Sequence, residues 1–327
     1  MFYRTYVTRV QSLREHFSDW SETQIGESEE GRPIVAFHNA PLSECEVLAW
    51  SLMHGNETTG AEAFLKLDSD MDSRWCIVPI LNPDGAEQFI RHNAQGVDVN
   101  RDARDLKSAE GKALYVLYRK IKPTLALNLH DQRTCFRPEG IDRPATFSLL
   151  APRSSVVGGC ANEHAAAGYC GWMVAFLRAN YPEYALARFD DTFYPTAFGD
   201  LFQETAPTIT LETGIALNDW SREGVASALA ALLNGLDKAL NTYDETSEHL
   251  YRSLPLNLDD AVDVIWVGAN RSVAYRLTQS LSNGLLTRHI EKVNKPNNAP
   301  CWIAMEEDSS QLQSLEHINW EEYVNQL

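Results

Sequence analysis

Trp50-Ser51-Leu52-Met53-His54-Gly55-Asn56-Glu57-Thr58-Thr59-Gly60-Ala61 is the stretch on which the reading of this chain turns. The mainly apolar run from Val47 to Met53 reads as a buried strand. It stops on His54, Gly55 and Asn56 turn the chain, and Glu57 precedes a helix start among small residues. An imidazole and a carboxylate three positions apart, on a turn at the end of a buried strand, can converge on one point. Both are zinc ligand types. A His-x-x-Glu pair also arises by chance on solvated turns, so the rest of the chain has to supply the other parts of a site.

Working outward, the same pattern recurs. Residues 1–20 have helical periodicity, and 34–38 reads as a strand. Ala61 to Leu67 reads as a helix, and Trp75 to Leu81 is another apolar run, ended by the turn signal Asn82-Pro83-Asp84-Gly85. Leu106 to Ile121 is amphipathic. Leu125 to Leu129 is a short buried strand ending on His130, and 145–151 is a further strand. A helical stretch follows from about Val156 to Arg178, then a strand from Thr208 to Leu211 ending on Glu212, then a helix over 222–240. Buried strands alternating with helices imply an α/β, three-layer fold with a central mixed, mostly parallel sheet flanked by helices.

After Asn241 the character changes. A polar segment and the connector Leu254-Pro255-Leu256 lead to an expected strand over 262–267, a helix over 271–280, strands over 287–293 and 302–305, and a polar helical tail. The expected division is a catalytic region over 1–245 and a small appended α+β region over 246–327 of unassigned role.

The 327 residues are enough for a large core. A net charge of −17 argues against nucleic acid or anionic membrane as partner, since both require basic surface. No apolar run has transmembrane length, and Met1 to Gln11 carries Arg4 and Arg9 without the apolar core of an export signal. The six cysteines form no Cys-x-x-Cys pair and read as reduced packing residues, so the expected compartment is the cytoplasm.

In open α/β sheets functional groups collect where strands end at their carboxyl edge. Three strand ends here carry chemistry: His54, His130 and Glu212. A lone strand-end histidine is more often a hydrogen-bonded structural residue. A carboxylate beside a buried strand is costly unless paired, so Glu212 marks either a salt bridge or a site. A second cluster is Arg91-His92-Asn93-Ala94-Gln95-Gly96-Val97-Asp98-Val99-Asn100-Arg101-Asp102. Arginine forks match carboxylates, which makes Arg91 and Arg101 candidates for anion binding. A solvated, mutually neutralised loop fits the same composition.

Taken together, Glu30-Gly31-Arg32-Pro33-Ile34, His54-x-x-Glu57, Asn82-Pro83-Asp84-Gly85, Gly96-Val97-Asp98-Val99-Asn100-Arg101-Asp102, the strand ending on His130 and the strand ending Leu211-Glu212-Thr213 resemble the zinc carboxypeptidases, the carboxypeptidase A-like metallopeptidases. The resemblance covers about residues 25–240. It implies one zinc per chain, held by His54, Glu57 and His130. Asp98 matches the aspartate that orients the first ligand histidine. Arg91 resembles the arginine that polarises the scissile carbonyl, and Asn100 and Arg101 resemble the pair that grips the terminal carboxylate. Glu212 matches the general base that takes a proton from the zinc-bound water. Tyr194 is the candidate for the family's mobile tyrosine, with a rim or packing aromatic as the alternative.

The expected reaction is hydrolysis of an amide bond next to a free C-terminal carboxylate, the partner being a peptide or a small N-acyl amino acid. An aspartoacylase-like or desuccinylase-like deacylase is the nearest rival on the same fold, since such enzymes also carry a His-Gly-x-Glu start and an Asn-Arg pair. The Asn-Pro-Asp-Gly and Gly-Val-Asp-x-Asn-Arg phrases favour the peptidase branch, where trimming of murein peptides is one option. A non-catalytic binding protein on the same scaffold is the rival from another class. The short interval between Glu57 and His130 implies trimmed loops around the cleft. His130-Asp131-Gln132-Arg133 departs from the serine-bearing sequence that often follows the third ligand, so Asp131 or Arg133 is expected to add charge nearby.

Overall fold

The computed structural model of the protein describes residues 5–132, 134–155, 160–190, 192–217, 219, 221–240, 247–267, 272–294 and 299–306. The first half of the chain forms α1 (Tyr6–His16), β1 (Ser21–Glu27), β2 (Pro33–His38), β3 (Val47–Trp50), α2 (Thr59–Phe64), β4 (Trp75–Val78), α3 (Pro83–Gln88), α4 (Ala109–Ile121), β5 (Leu125–Asp131), β6 (Arg137–Pro138) and β7 (Phe147–Leu150). It continues through α5 (Ala161–Asn180), β8 (Leu186–Arg188), α6 (Phe198–Gln203), β9 (Thr208–Thr213), α7 (Glu223–Ala239), α8 (Glu248–Arg252), β10 (Asn257–Leu258), β11 (Val262–Val267), β12 (Ser272–Ser282), β13 (Leu285–Val293) and β14 (Cys301–Glu306).

Eight strands form one sheet in the order β1-β2-β4-β3-β5-β9-β7-β8. The inner strands β4, β3, β5 and β9 run parallel to one another, while β2 and β7 join them antiparallel. Continuous apolar strands need cover on both faces, and side-chain alternation divides that cover. Leu125, Leu127 and Leu129 of β5 pack with Ala61, Met173 and Leu229 from α2, α5 and α7. On the other face Ala126 joins Leu114 of α4 and Phe198 and Phe202 of α6, so helices sandwich the sheet. Each buried Leu or Phe contributes about 1.5–3 kcal/mol relative to exposure, and these two layers make the frame rigid.

The three-layer α/β expectation holds, with differences at particular elements. Ser21–Glu27 is an edge strand too polar to signal itself by apolar runs. Asn82, expected to mark a turn, is also an N-cap: its Oδ1 accepts from the Gly85 amide, with Pro83 at the first position of α3. The expected helix over 271–280 is strand β12. Val273, Tyr275 and Leu277 alternate with period 2, and the strand is locked to β13 by the two-residue turn Asn283-Gly284. Both turn residues have positive φ, at 51° and 75°. Asn-Gly between β-rich runs is a strong hairpin signal, and it overrides the local helical spacing. β6 and β10 pair as a two-stranded ribbon, and the described residues from Val262 onward thereby form a separate, four-stranded sheet, β13-β12-β11-β14. The polar helical tail expected after residue 306 lies outside the described residues, as do 156–159 at the start of the expected long helix. No described helix is long and apolar enough to cross a membrane.

Candidate metal and active site

The turn after β3 is shaped by backbone. Leu52 adopts φ 48°, a left-handed conformation that costs a branched residue on the order of 1–3 kcal/mol, and its carbonyl accepts from the Asn82 amide at 2.9 Å. Asn82 Nδ2 also donates to the Met53 carbonyl, at 3.3 Å. Gly55 then lies flat on the α3 start: a Cβ there would sit 1.9 Å from the Gly85 carbonyl carbon. Asp84, fully buried, accepts from Ser28 Oγ, the Glu30 amide and Arg32 Nη1, which ties the Glu30-Gly31-Arg32 turn to the same corner. Two of the sequence phrases are therefore architectural, and together they aim His54 and Glu57.

The three expected ligands converge. His54 Nδ1 is 2.7 Å from Glu57 Oε1, and His130 Nδ1 is 2.6 Å from Glu57 Oε2. Their ligand atoms all lie within 4.8 Å of one another. His54 and His130 are both 3% exposed, so this is a buried, charged triad with no apolar use. Two imidazoles and a carboxylate on one point are a donor set suited to a tetrahedral divalent cation that keeps a fourth position open. Within the protein alone, burial pushes Glu57 up but the two histidines outweigh it and hold it well below the usual carboxylate range. Burial likewise favours neutral His54, yet Glu57 and Asp98 lift it to about 9. A bound cation would replace that proton. His130 Nε2 is buried with no hydrogen-bond partner among the described residues.

Asp98 stands behind the triad. Its Oδ1 is 3.1 Å from His54 Nε2 and accepts from the Asn100 amide at 3.0 Å. Its Oδ2 accepts from Arg91 Nε and Nη2 at 3.1 and 2.9 Å. Burial opposes ionisation of Asp98, but His54 and Arg91 hold its carboxyl well below the ordinary range. Arg91 thus spends two donors on Asp98 and brings Nη1 to 3.5 Å from Glu57 Oε1.

Glu212 reaches the site from β9. The parallel register pairs His130 with Glu212 and Asn128 with Thr210, so alternation brings His130 and Glu212 side by side on one face. Burial raises Glu212 to about 7. Desolvation that favours the neutral acid, against histidines that favour the anion, leaves a proton acceptor poised near neutral pH.

Asn100 and Arg101 line the same cavity, which measures about 1230 Å³. Asn100 Oδ1 accepts from the Phe198 amide at 3.3 Å, which fixes this corner to α6. Arg101 is exposed, and its guanidinium lies 5.2 Å from the ring centroid of Tyr194. Tyr194 is 53% exposed and also lines the cavity, and its amide donates to Asp200 Oδ1.

Asp131 points to the opposite sheet face from His130. Burial raises its pKa, and its carboxylate accepts from the Thr59 amide and hydroxyl and from Thr213 Oγ1. It therefore braces the start of α2. Arg133 lies outside the described residues. A further brace has no sequence signal: Arg222 donates to the carbonyls of Gln132, Thr213 and Gly214, joining the segments that leave β5 and β9. Only the meeting of those two segments in space makes its position meaningful.

No family model matches the chain. In sequence it is similar to carboxypeptidase E of Caenorhabditis elegans, with 33% identity over 26% of this chain and 25% of that protein. It is also similar to murein peptide amidase A of Escherichia coli (strain K12), with 30% identity over 33% of this chain and 46% of that protein. The matches therefore span less than half the length of either curated relative. In structure it is similar to a metallo-carboxypeptidase from Burkholderia cenocepacia, with a TM-score of 0.56 at 16% identity, covering 72% of this chain and 68% of the other.

Proposed function

The chain has the metallo-carboxypeptidase fold, and from that premise we propose that it is a zinc-dependent hydrolase cutting an amide bond next to a free carboxylate. The observation that carries the reading is the closure of His54, Glu57 and His130 on one point with Glu212 as the next residue across the sheet. Zinc held by those three side chains would supply Lewis acidity and lower the pKa of water from about 16 to about 7.

The protein's own groups account for the rest. Glu212, with its pKa near neutrality, accepts a proton from the attacking water. The water oxygen bonds the carbonyl carbon, the C–N bond breaks, and Glu212 returns the proton to the leaving amine. Arg91, its fork anchored by Asp98, offers Nη1 toward the oxyanion. Asn100 and Arg101 hold the substrate carboxylate, and the Tyr194 ring keeps the Arg101 guanidinium over the cleft. Asp98 fixes the tautomer and direction of the His54 ring.

Cavity size favours a peptide over a small N-acyl amino acid. About 1230 Å³ exceeds the roughly 300–1,000 Å³ of usual small-molecule sites. The deciding assay compares release of the C-terminal residue from an N-blocked peptide library with hydrolysis of N-acetyl-aspartate. Turnover of peptides supports the reading, and turnover of N-acetyl-aspartate alone replaces it with a deacylase.

A further inference from the structure

The C-terminal sheet reaches the cleft. Leu277, Thr278 and Gln279 of β12 and Leu286 of β13 line the same cavity as His54 and Glu212. Leu277 and Gln279 are two apart on one strand, and Leu286 pairs with Leu281, so all three occupy one face of the hairpin. The Asn283-Gly284 turn sets this register locally.

The sheet behind that face is tied to the segment leaving β5 directly after His130 and Asp131. Trp302 Nε1 of β14 donates to the Thr134 carbonyl at 2.8 Å, and Asn257 of β10, the strand that pairs with β6 just ahead of the sheet, donates from Nδ2 to Gln132 Oε1 at 2.7 Å. Arg137 pairs bidentately with Asp260, both bonds at 2.7 Å. Arg276 Nε lies 3.2 Å from Cys135 Sγ, and the Leu277 amide donates to buried Asp263 at 2.7 Å. Arg222, at the start of α7, holds the Gln132 carbonyl at 2.6 Å. Hairpin, Gln132 segment and α7 are thus one connected side of the cavity. Asn100 and Tyr194, fastened to Phe198 and Asp200 of α6, belong to the other.

Resting on the function proposed above, we infer that this face of the β12–β13 hairpin is a substrate-reading wall. It takes the part of an extended peptide that lies beyond the scissile bond from the carboxylate at Asn100 and Arg101. Two half-buried leucines with the Gln279 amide beside them suit an apolar side chain with backbone polar groups next to it. A small acyl group ends an atom or two past the scissile carbonyl and offers such a wall nothing to bind. The appended sheet thereby selects for substrate length.

The test uses the full-length zinc-loaded protein and two substrates with the same C-terminal residue, one an N-acetylated single amino acid and one an N-acetylated pentapeptide. The double variant Leu277→Ser, Leu286→Ser is expected to lower the ratio of kcat/KM for the long substrate over the short about tenfold, through KM, with Leu286→Met restoring most of it. An unchanged ratio overturns the inference while leaving the proposed function standing. Binding is followed in parallel by calorimetry with Glu212→Gln protein, where the pentapeptide is expected to bind tighter than the single residue only when both leucines are present. Equal binding with and without the leucines overturns the wall even if turnover is undetectable. Absence of binding by either substrate overturns the wall and the hydrolase reading together.

Discussion

A Cβ on Gly55 would lie 1.9 Å from the carbonyl carbon of Gly85 and 2.3 Å from the Ala86 nitrogen, so the loop carrying His54 and Glu57 rests directly on the backbone that starts α3. Neither neighbour is a flexible side chain able to give way. Gly55→Ala is therefore expected to destabilise the protein by about 1–3 kcal/mol and to displace both candidate ligands. Thermal melting with and without zinc checks this: the variant should melt lower in both conditions and gain less from the metal than the parent.

Asp98 touches no candidate reacting atom, yet it fixes His54 and anchors Arg91. Asp98→Ala should weaken zinc binding about 10–100-fold, as loss of a ligand's outer partner does elsewhere. Competition against a chromophoric chelator measures it. Asp98→Asn, which keeps an oxygen toward His54, should fall in between.

Arg101 is held by stacking on Tyr194 and one bond to its neighbour's carbonyl, leaving most of its fork available. Arg101→Ala should raise KM by about one to two orders of magnitude with a smaller change in kcat, the signature of lost uniform binding. The parent should discriminate against a C-terminally amidated peptide, and the variant should largely lose that discrimination.

Burial sets the pH dependence of Glu212, which is raised to about 7. As a base it must be ionised, so kcat/KM should fall on the acid side, with its midpoint below about 7 because a bound zinc ion favours the anion. In zinc-stripped protein the same shift acts on stability. The folded chain holds this proton more tightly than the unfolded chain does. The contribution is present below the unfolded carboxyl value of about 4.3 and is lost as pH rises through the folded value. Glu212→Gln cannot ionise, so it should raise Tm relative to the parent at about pH 8, and the gain should vanish near about pH 4. A gain independent of pH would mean that Glu212 does not titrate in this range.

The parts of the site legible in the sequence are those a parallel sheet places by rule. His130 and Glu212 lie at the ends of the apolar strands β5 and β9, whereas the strand expected to run to Met53 stops at Trp50 and His54 follows it on the turn bent at Leu52; the ends of β3, β5 and β9 share one edge. Their meeting follows from strand order. Asp98, Arg91 and Asn100 lay in one short motif, so a single loop accounts for their proximity. What sequence spacing hid is long-range bracing: Arg222 with Gln132, Asp131 with Thr59, and Asp84 with Arg32, each between residues distant in the chain. The β12 strand was hidden for another reason. Apolar residues at both helical and alternating spacing left its period ambiguous, and the decisive residues, Asn283 and Gly284, lie beyond the strand itself.

The central claim is a zinc centre at His54, Glu57 and His130, and zinc titration of chelator-stripped protein by calorimetry tests it most directly. The parent should bind one ion per chain, and His54→Ala, His130→Ala protein that still melts cooperatively should bind none at that affinity. Equal stoichiometry and affinity in parent and double variant would contradict the account.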